Sequence, residues 1–422
     1  MIGDDSSQSL QRVTEFPAGT GLCAKSVPYI FSYYLRGSLR VTTDFSCPAV
    51  RLTGQQSRPM AKRVFADKWL FIVTLLLVFV GLTMVFSASA VMAKEKFGSP
   101  YTFVLRQLAW AVAGIVVMFA LMKVDYRRYK HPAVVFTLLG FTTLLLIAVF
   151  FVHGSHGARR WIYFGPFSLQ PSEIAKPAAI CFLAYFLESR TKFMDDWRRT
   201  LLPALAPVAL MCVLILAQPD LGTTIVVLLV TLTMLVIAGM DFKYLLYPLA
   251  VSPLAFYFLI WRVKFRHDRI LAFMNPFDDP QGRGFHIIQS LIAVGTGGLT
   301  GVGLMEGKQK LFYLPEPHTD FIYAVTAEEL GLLGSLCVVA LFAIFIYRGL
   351  RTAMVSRDVF ARYLATGITA MIGIQALFNI SVVLALLPTK GIPLPFISYG
   401  GTSLFISLAC VGVLLNITQQ AD

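Results

Sequence analysis

Apolar residues fall in long runs along this chain, at about 69–91, 104–122, 134–152, 174–187, 201–217, 223–240, 244–261, 322–347, 363–387 and 402–417. Most are near the roughly 20 residues that a helix needs to cross a bilayer, and they carry few charges. The pattern predicts an all-α polytopic membrane protein with about ten transmembrane helices.

The polar stretches between the runs orient them. Placing the N-terminus inside collects Lys62, Arg63, Lys68, Lys123, Arg127, Arg128, Lys130, Arg190, Lys192, Arg198, Arg199, Arg348, Arg351, Arg357 and Arg362 on the cytoplasmic side, with both termini cytoplasmic. The longest connection, 262–321 between spans seven and eight, then faces outward. Within it, 285–294 is apolar enough for a short interfacial or re-entrant helix. Residues 1–60 are polar and aperiodic. They read either as a disordered cytoplasmic tail or as an over-extended reading frame whose true start is Met60, and residues 61–422 form the transmembrane domain.

Composition narrows the picture. The 422 residues are 57% hydrophobic and 14% charged, and the mean hydropathy is +0.70. The net charge of +13 comes without zinc-finger spacing or a basic helix interleaved with aromatics, so anionic lipid and a phosphate-bearing ligand are expected instead of nucleic acid. Cys181, Cys212, Cys337 and Cys410 lie in apolar runs, and Cys23 and Cys47 in the polar N-terminal segment. With no paired metal-ligand spacing they read as core-filling thiols, and no protein metal site is expected.

Candidate chemistry concentrates in 275–303, N-P-F-D-D-P-Q-G-R-G-F-H-I-I-Q-S-L-I-A-V-G-T-G-G-L-T-G-V-G, a polar and glycine-rich stretch in an apolar chain. Asp279 is its leading acid-base candidate. It sits among Arg262, Lys264, Arg266, Arg269, Arg283, Lys308 and Lys310, a field suited to an anion. From spacing alone, Asp279 reads equally as the turn residue of an Asp-Pro pair. The glycines of 295–303 lack the preceding strand and the Lys-Ser/Thr pair of a phosphate loop, so they read as turn and packing residues. Charged groups inside spans are costly and therefore informative. Glu173 and Lys176 share a helix face at i, i+3, as an internal pair that is either structural or functional. Glu328 and Glu329 lie one to two turns into the eighth span, where at least one should face a polar cavity. Arg106 either snorkels to the interface or lines a site. His153, His156, His267, His286 and His318 read as outer-face hydrogen-bonding residues.

Six blocks then occur in an order that resembles one family. They are G-L-T-M-V-F-S-A-S-A (81–90), G-P-F-S-L-Q-P-S-E-I-A-K (165–176), Q-P-D-L-G-T (218–223), D-P-Q-G-R-G-F-H-I-I-Q-S (279–290), H-T-D-F-I-Y-A-V-T-A-E-E-L-G (318–331) and P-L-P-F-I-S-Y-G-G-T-S-L (393–404). From about Ala61 to Thr418 the chain resembles the SEDS proteins (shape, elongation, division and sporulation), most closely the division branch. The resemblance implies a peptidoglycan glycosyltransferase that polymerises lipid II into β-1,4 glycan at the outer face of the bacterial cytoplasmic membrane. It implies a class B penicillin-binding protein and other division proteins as partners, with the elongation branch as runner-up. It maps the essential aspartate onto Asp279, the polar cavity onto Arg106, Glu173 and Lys176, and outer-face substrate contacts onto Thr319, Asp320, Ser398, Tyr399, Gly400 and Gly401.

The chemistry so implied needs a base for the acceptor hydroxyl, assigned to Asp279, and positive charge for the leaving pyrophosphate. The cation pool is Arg106, Lys176, Arg266, Arg269, Arg283 and Lys308, and a divalent cation such as Mg2+ or Mn2+ could bridge a carboxylate and the phosphates. Two readings from other classes compete: a lipid II flippase or other transporter, and a division scaffold without chemistry. Against transport, the halves show no repeated hydropathy pattern, and the candidate site lies at the outer face instead of the midplane.

Overall fold

The computed structural model describes residues 66–151, 160–164, 167–191, 197–241, 264–311 and 313–421, together with Lys243 and Tyr257. The chain divides into Met1–Pro59 and Met60–Asp422. The expected tail therefore lies outside the described residues, as does most of the expected span at 244–261.

The first three helices are α1 (Lys68–Phe97), α2 (Thr102–Lys123) and α3 (Pro132–Ala148). A small antiparallel hairpin follows, β1 (Ile162–Phe164) paired with β2 (Phe167–Leu169) in the register Ile162↔Leu169. Next come α4 (Pro171–Ser189), α5 (Leu202–Ala217) and α6 (Leu221–Ile237). Two short helices, α7 (Lys264–Met274) and α8 (Phe285–Thr296), precede α9 (Ile322–Val355), α10 (Val359–Val383) and α11 (Gly401–Gln420). Among the described residues seven helices are long and apolar enough to cross a membrane. The other two expected runs within them are helical but fall short of that standard. α6 has 17 residues, and α4 carries Glu173, Lys176 and Glu188 in 19. The small hairpin and helix α7 were not legible in the apolar pattern, whereas a helix does form at α8.

Caps and ion pairs at the helix ends show which ends share a face. Asp67 accepts hydrogen bonds from the Trp69 and Leu70 amides as the α1 N-cap, its own amide reaches Thr418 Oγ1 at 3.2 Å, and Arg348 donates to its carboxylate at 2.6 Å. Nearby, Tyr126 N–H donates to Asn416 Oδ1, and Lys130 pairs with Glu188 at 2.6 Å. The start of α1 and the ends of α2, α4, α9 and α11 therefore lie together. The opposite end carries the hairpin, α7, α8 and the connections 297–321 and 384–400. Thr402 Oγ1 ties α11 to the hairpin through the Ser168 carbonyl at 2.7 Å.

The core between these ends is apolar, with Leu70, Leu77, Met84, Leu183, Met211, Phe345 and Phe360 at 0–1% exposure, while large side chains such as Phe79, Val116 and Leu333 point outward as a lipid-facing surface requires. Cys181, Cys212 and Cys410 are buried as expected, but Cys337 is exposed. It lies on an outward face of α9, where a thiol faces the same apolar surroundings.

Helix α9 is broken at Gly331, whose φ of 65° and ψ of −164° leave the helical region. The groups freed by the break are met by the glycine-rich connection. Val302 and Gly303 amides donate to the Glu328 and Glu329 carbonyls at 3.0 and 3.1 Å, and Leu332 and Leu333 amides donate to the Gly298 and Leu299 carbonyls at 2.9 and 3.2 Å. A Cβ on Gly301 would lie 2.0 Å from the Glu329 carbonyl oxygen, so only glycine permits this approach. The run serves as turn and packing residues, as the sequence suggested.

Candidate active site

The end that carries the hairpin, α7 and α8 holds a cavity of about 500 Å³ built from three connections. α7 and the turn after it contribute Asp268, Arg269, Asp279, Gly282 and Arg283; the segment before α9 contributes Pro315, Glu316, Asp320 and Phe321. The α10–α11 connection adds Thr389, Lys390 and Gly391, and α8 adds His286.

The D-P-Q-G-R-G turn sets the Asp279 carboxylate. Gly282 and Gly284 amides donate to the Asp279 carbonyl at 3.3 and 3.0 Å, and the Arg283 amide donates to Asp279 Oδ2 at 3.1 Å. A Cβ on Gly282 would stand 2.3 Å from Oδ2, and one on Gly284 1.9 Å from the Pro276 carbonyl oxygen, which explains both glycines. Asp279 is 47% exposed, and its Oδ1 carries no hydrogen bond among the described residues. One carboxylate oxygen therefore holds the turn, which leaves the other uncommitted among the described residues. Arg283 places Nε 3.7 Å from Asp279 Oδ2 and Nη1 3.0 Å from Asp268 Oδ1.

Across the connections, Arg269 Nη1 donates to the Thr389 carbonyl at 3.2 Å. Asn379 donates to the carbonyls of Asp320 and Ile392, both at 2.8 Å, fixing the second and third walls together. Burial pushes the Asp320 carboxyl up to about 6 although Arg269 opposes it. Burial, with Arg266 and Arg269 adding repulsion, pushes the Lys390 ammonium down to about 8.

Of the residues singled out from sequence, Asp279, Arg269, Arg283, His286 and Asp320 meet in the cavity, and Arg266 acts on it electrostatically from α7. Arg262, His153 and His156 fall outside the described residues, and the other described ones lie outside the lining. Ser398 Oγ donates to the Thr319 carbonyl at 2.7 Å and accepts the Leu394 amide at 2.8 Å. Gly400 N–H donates to Gln107 Oε1 at 3.2 Å, and Gly401 packs on Trp110, which a Cβ would overlap at 2.1 Å. Tyr399 stacks edge-on against Phe103 and His318, its phenol near Arg106, whose guanidinium lies 5.7 Å from the Phe97 ring centre. Ser398 and Tyr399 thereby tie to the segment that carries Asp320, while Gly400 and Gly401 pack on α2. Glu173 and Lys176 form a buried pair at 2.8 Å, and Lys176 also donates to Gln375 Oε1 at 2.7 Å. Lys308 gives its amide to Glu328 Oε1.

Glu328 and Glu329 are both buried and both satisfied. Glu328 also accepts the Gln309 amide, while Glu329 accepts from Lys310 at 2.7 Å, Ser87 at 2.6 Å and the Met305 amide at 3.1 Å. Sequence reasoning missed Lys390, Thr389 and Asn379; the available signal was one lysine set among Pro and Gly in L-P-T-K-G-I-P.

Among the described residues no group of three or more His, Cys, Asp or Glu side chains could hold a metal ion. That donor set fits an ion arriving with phosphates, for which one or two carboxylates such as Asp279 and Asp320 suffice, and not a dedicated protein cage.

Comparison with known proteins fixes the family. The FtsW/RodA/SpoVE family, described as cell cycle protein, matches residues 67–422. A probable peptidoglycan glycosyltransferase FtsW of Geobacter metallireducens is 44% identical over 344 residues, 81% of this chain and 91% of that one. Stage V sporulation protein E of Bacillus subtilis is 43% identical over 361 residues, 85% of this chain and 99% of that one. Among solved structures, a chain of a peptidoglycan synthase complex that coordinates polymerization and crosslinking superposes with TM-score 0.71 at 29% identity, covering 84% of this chain and 98% of its own. The rod shape determining protein RodA of Thermus thermophilus gives 0.62 at 28%, covering 84% and 96%. The chain belongs to the FtsW/RodA/SpoVE (SEDS) family.

Proposed function

We propose that the cavity is the polymerisation site of a division peptidoglycan glycosyltransferase and that Asp279 is its general base. The chain is a peptidoglycan glycosyltransferase, as its family and the relatives named FtsW support. The single observation that carries the assignment of the base is the free Oδ1 of Asp279, held by its turn inside a cavity whose lining mixes Arg269, Arg283 and Lys390 with the carboxylates Asp268, Glu316 and Asp320.

The substrates are lipid II and the nascent glycan strand. Joining them requires an acceptor hydroxyl to attack the anomeric carbon of a lipid-pyrophosphate donor. The new C–O bond forms as the bond to pyrophosphate breaks with its electron pair, and the hydroxyl proton passes to the Asp279 carboxylate. An α-linked donor and a β-1,4 product imply inversion, so one displacement suffices. Base assistance of this kind is worth about 10²–10⁴-fold. In the positive-inside orientation the cavity opens at the outer face of the bacterial cytoplasmic membrane, with α8 at the interface. The class B penicillin-binding protein is the expected partner, by analogy with the complex that coordinates polymerization and crosslinking. A sporulation polymerase is the second reading, favoured by 43% identity to stage V sporulation protein E.

The test is lipid II polymerisation by the purified chain, with and without its cognate class B penicillin-binding protein, comparing the native residue with Asp279→Asn. The native complex should make glycan strands and the folded, partner-bound variant should not. A variant that polymerises at the native rate removes Asp279 as base, and a native complex that moves lipid II without joining it restores the transporter reading.

A further inference from the structure

We infer that Lys390, in the connection between α10 and α11, is a catalytic cation that receives the pyrophosphate leaving group, with Arg269 of α7 beside it. The inference rests on the polymerase reading of the cavity and names the group that meets the charge opposite the base.

The cavity's cations are employed differently from one another. Arg283 is held by Asp268 and lies against Asp279. Arg269 gives one N–H to the Thr389 carbonyl. Lys390 lines the same cavity, yet its ammonium makes no hydrogen bond or ion pair among the described residues. A partly buried ammonium without a partner is costly, and a fold that only needed to fill this position would use an apolar or neutral side chain. The cost has a use if an anion completes the site.

The surroundings favour an anion over a protein carboxylate. Arg266 and Arg269 on α7 repel the Lys390 charge, and only Asp220, at the start of α6, favours it. Asp220 is itself engaged, accepting from the Thr223 amide and hydroxyl at 3.1 and 2.8 Å. Asp320, whose carboxyl is raised to about 6, faces Gly391 and feels Arg269. Lys390 and Arg269 therefore both line the cavity, with Arg266 acting on Lys390 electrostatically from α7 and the carboxylates Glu316 and Asp320 on the segment before α9, while the base Asp279 enters from a different connection. When the bond from the anomeric carbon to pyrophosphate breaks, the leaving oxygen gains a full negative charge, and a preorganised cation stabilises that charge in the transition state. The backbone around Lys390 is pinned by Asn379 through the Ile392 carbonyl, so the cation is positioned by a packed helix.

The experiment uses the purified complex with its penicillin-binding protein. Lys390→Gln should lower kcat by about 10²-fold, with Lys390→Arg recovering most of it. Calorimetric titration with inorganic pyrophosphate in metal-free buffer should show binding to the native protein that weakens at least tenfold in Lys390→Gln and persists in Asp279→Asn. A filler role predicts the reverse pattern in thermal stability, so Lys390→Met is the second variant. Removing an unpaired, partly buried charge should raise the melting temperature at pH 7, whereas loss of packing would lower it. The sign follows from the lowered folded-state pKa of about 8: the penalty is full below that pH and fades as pH rises toward the unfolded value. Native rates and native pyrophosphate binding in Lys390→Gln, or no pyrophosphate binding to the native protein, overturn the inference. Because binding is read without turnover, an active Asp279→Asn variant would discard the base assignment while leaving the Lys390 result to stand or fall separately.

Discussion

Two polar regions of the molecule gather charges, and they treat those charges oppositely. Behind the break in α9, Glu329 is met by Lys310, Ser87 and the Met305 amide, and Glu328 by the amides of Lys308 and Gln309. In the cavity, Asp279 keeps a free oxygen, Lys390 keeps no partner, and Asp320 and Lys390 are shifted toward neutrality. Buried charge that is fully answered by protein groups holds a structure together, and charge left open in a cavity awaits a ligand. Both regions are rich in glycine and acid, so composition alone does not separate them; the partners do.

The largest expected effect sharpens this contrast from the open side. Asp279→Asn should cost about 10²–10⁴-fold in polymerisation, while the melting temperature stays close to native because only an exposed turn hydrogen bond and a half-exposed ion pair are touched. The opposite result, large instability with residual activity in the folded fraction, would make Asp279 a structural residue and erase the contrast.

The next effect tests the closed side. Lys310→Met leaves Glu329, 0% exposed at its side chain, as an uncompensated buried carboxylate. The expected loss is about 3–5 kcal/mol of stability, most of it recovered in the double variant Lys310→Met with Glu329→Gln. Unfolding in detergent, followed with both variants side by side, measures it. A single variant as stable as native would show that this region too tolerates open charge.

Gly282→Ala strikes the seam between the two behaviours. A Cβ there would stand 2.3 Å from Asp279 Oδ2 and force the carboxylate aside. Displacement by about 1 Å can cost 10²-fold in rate, and the exposed turn should lose little stability. The polymerisation assay and a melting curve on one preparation separate the two outcomes.

How much of this was legible in the sequence follows from the same physics. Apolar runs announced helices because lipid requires continuous backbone pairing and apolar side chains, a signal averaged over about 20 residues. Asp279 stood out because it is a charged residue in a glycine turn with basic flanks. The break at Gly331 was hidden, since its cause lies 30 residues upstream in the glycines that enter it. Ser398 ties to the Thr319 carbonyl and Gly400 and Gly401 pack on α2, contacts that sequence could not assign because polar residues near a site look alike whether they face a ligand or the scaffold. Lys390 went unread for the converse reason. Its distinction is the absence of a partner, which only packing reveals.

The smallest effect is also the most selective for the open region. Below about pH 8 both Lys390 and an arginine substituted there are charged, so the ratio of native kcat/KM to that of Lys390→Arg should be flat. As pH rises through about 8 the native ammonium loses its proton while the guanidinium cannot. The ratio should then fall, by at most about tenfold per pH unit, because kcat/KM reports the groups of the free enzyme. Shared titrations, including those of Asp320 and the substrate, cancel in the ratio. A bound pyrophosphate favours the charged lysine, so the corresponding ratio of kcat values should break at higher pH or not at all. A ratio of kcat/KM that stays flat to pH 10 would mean that Lys390 is already paired in the free protein, and the cavity would join the closed region in its chemistry.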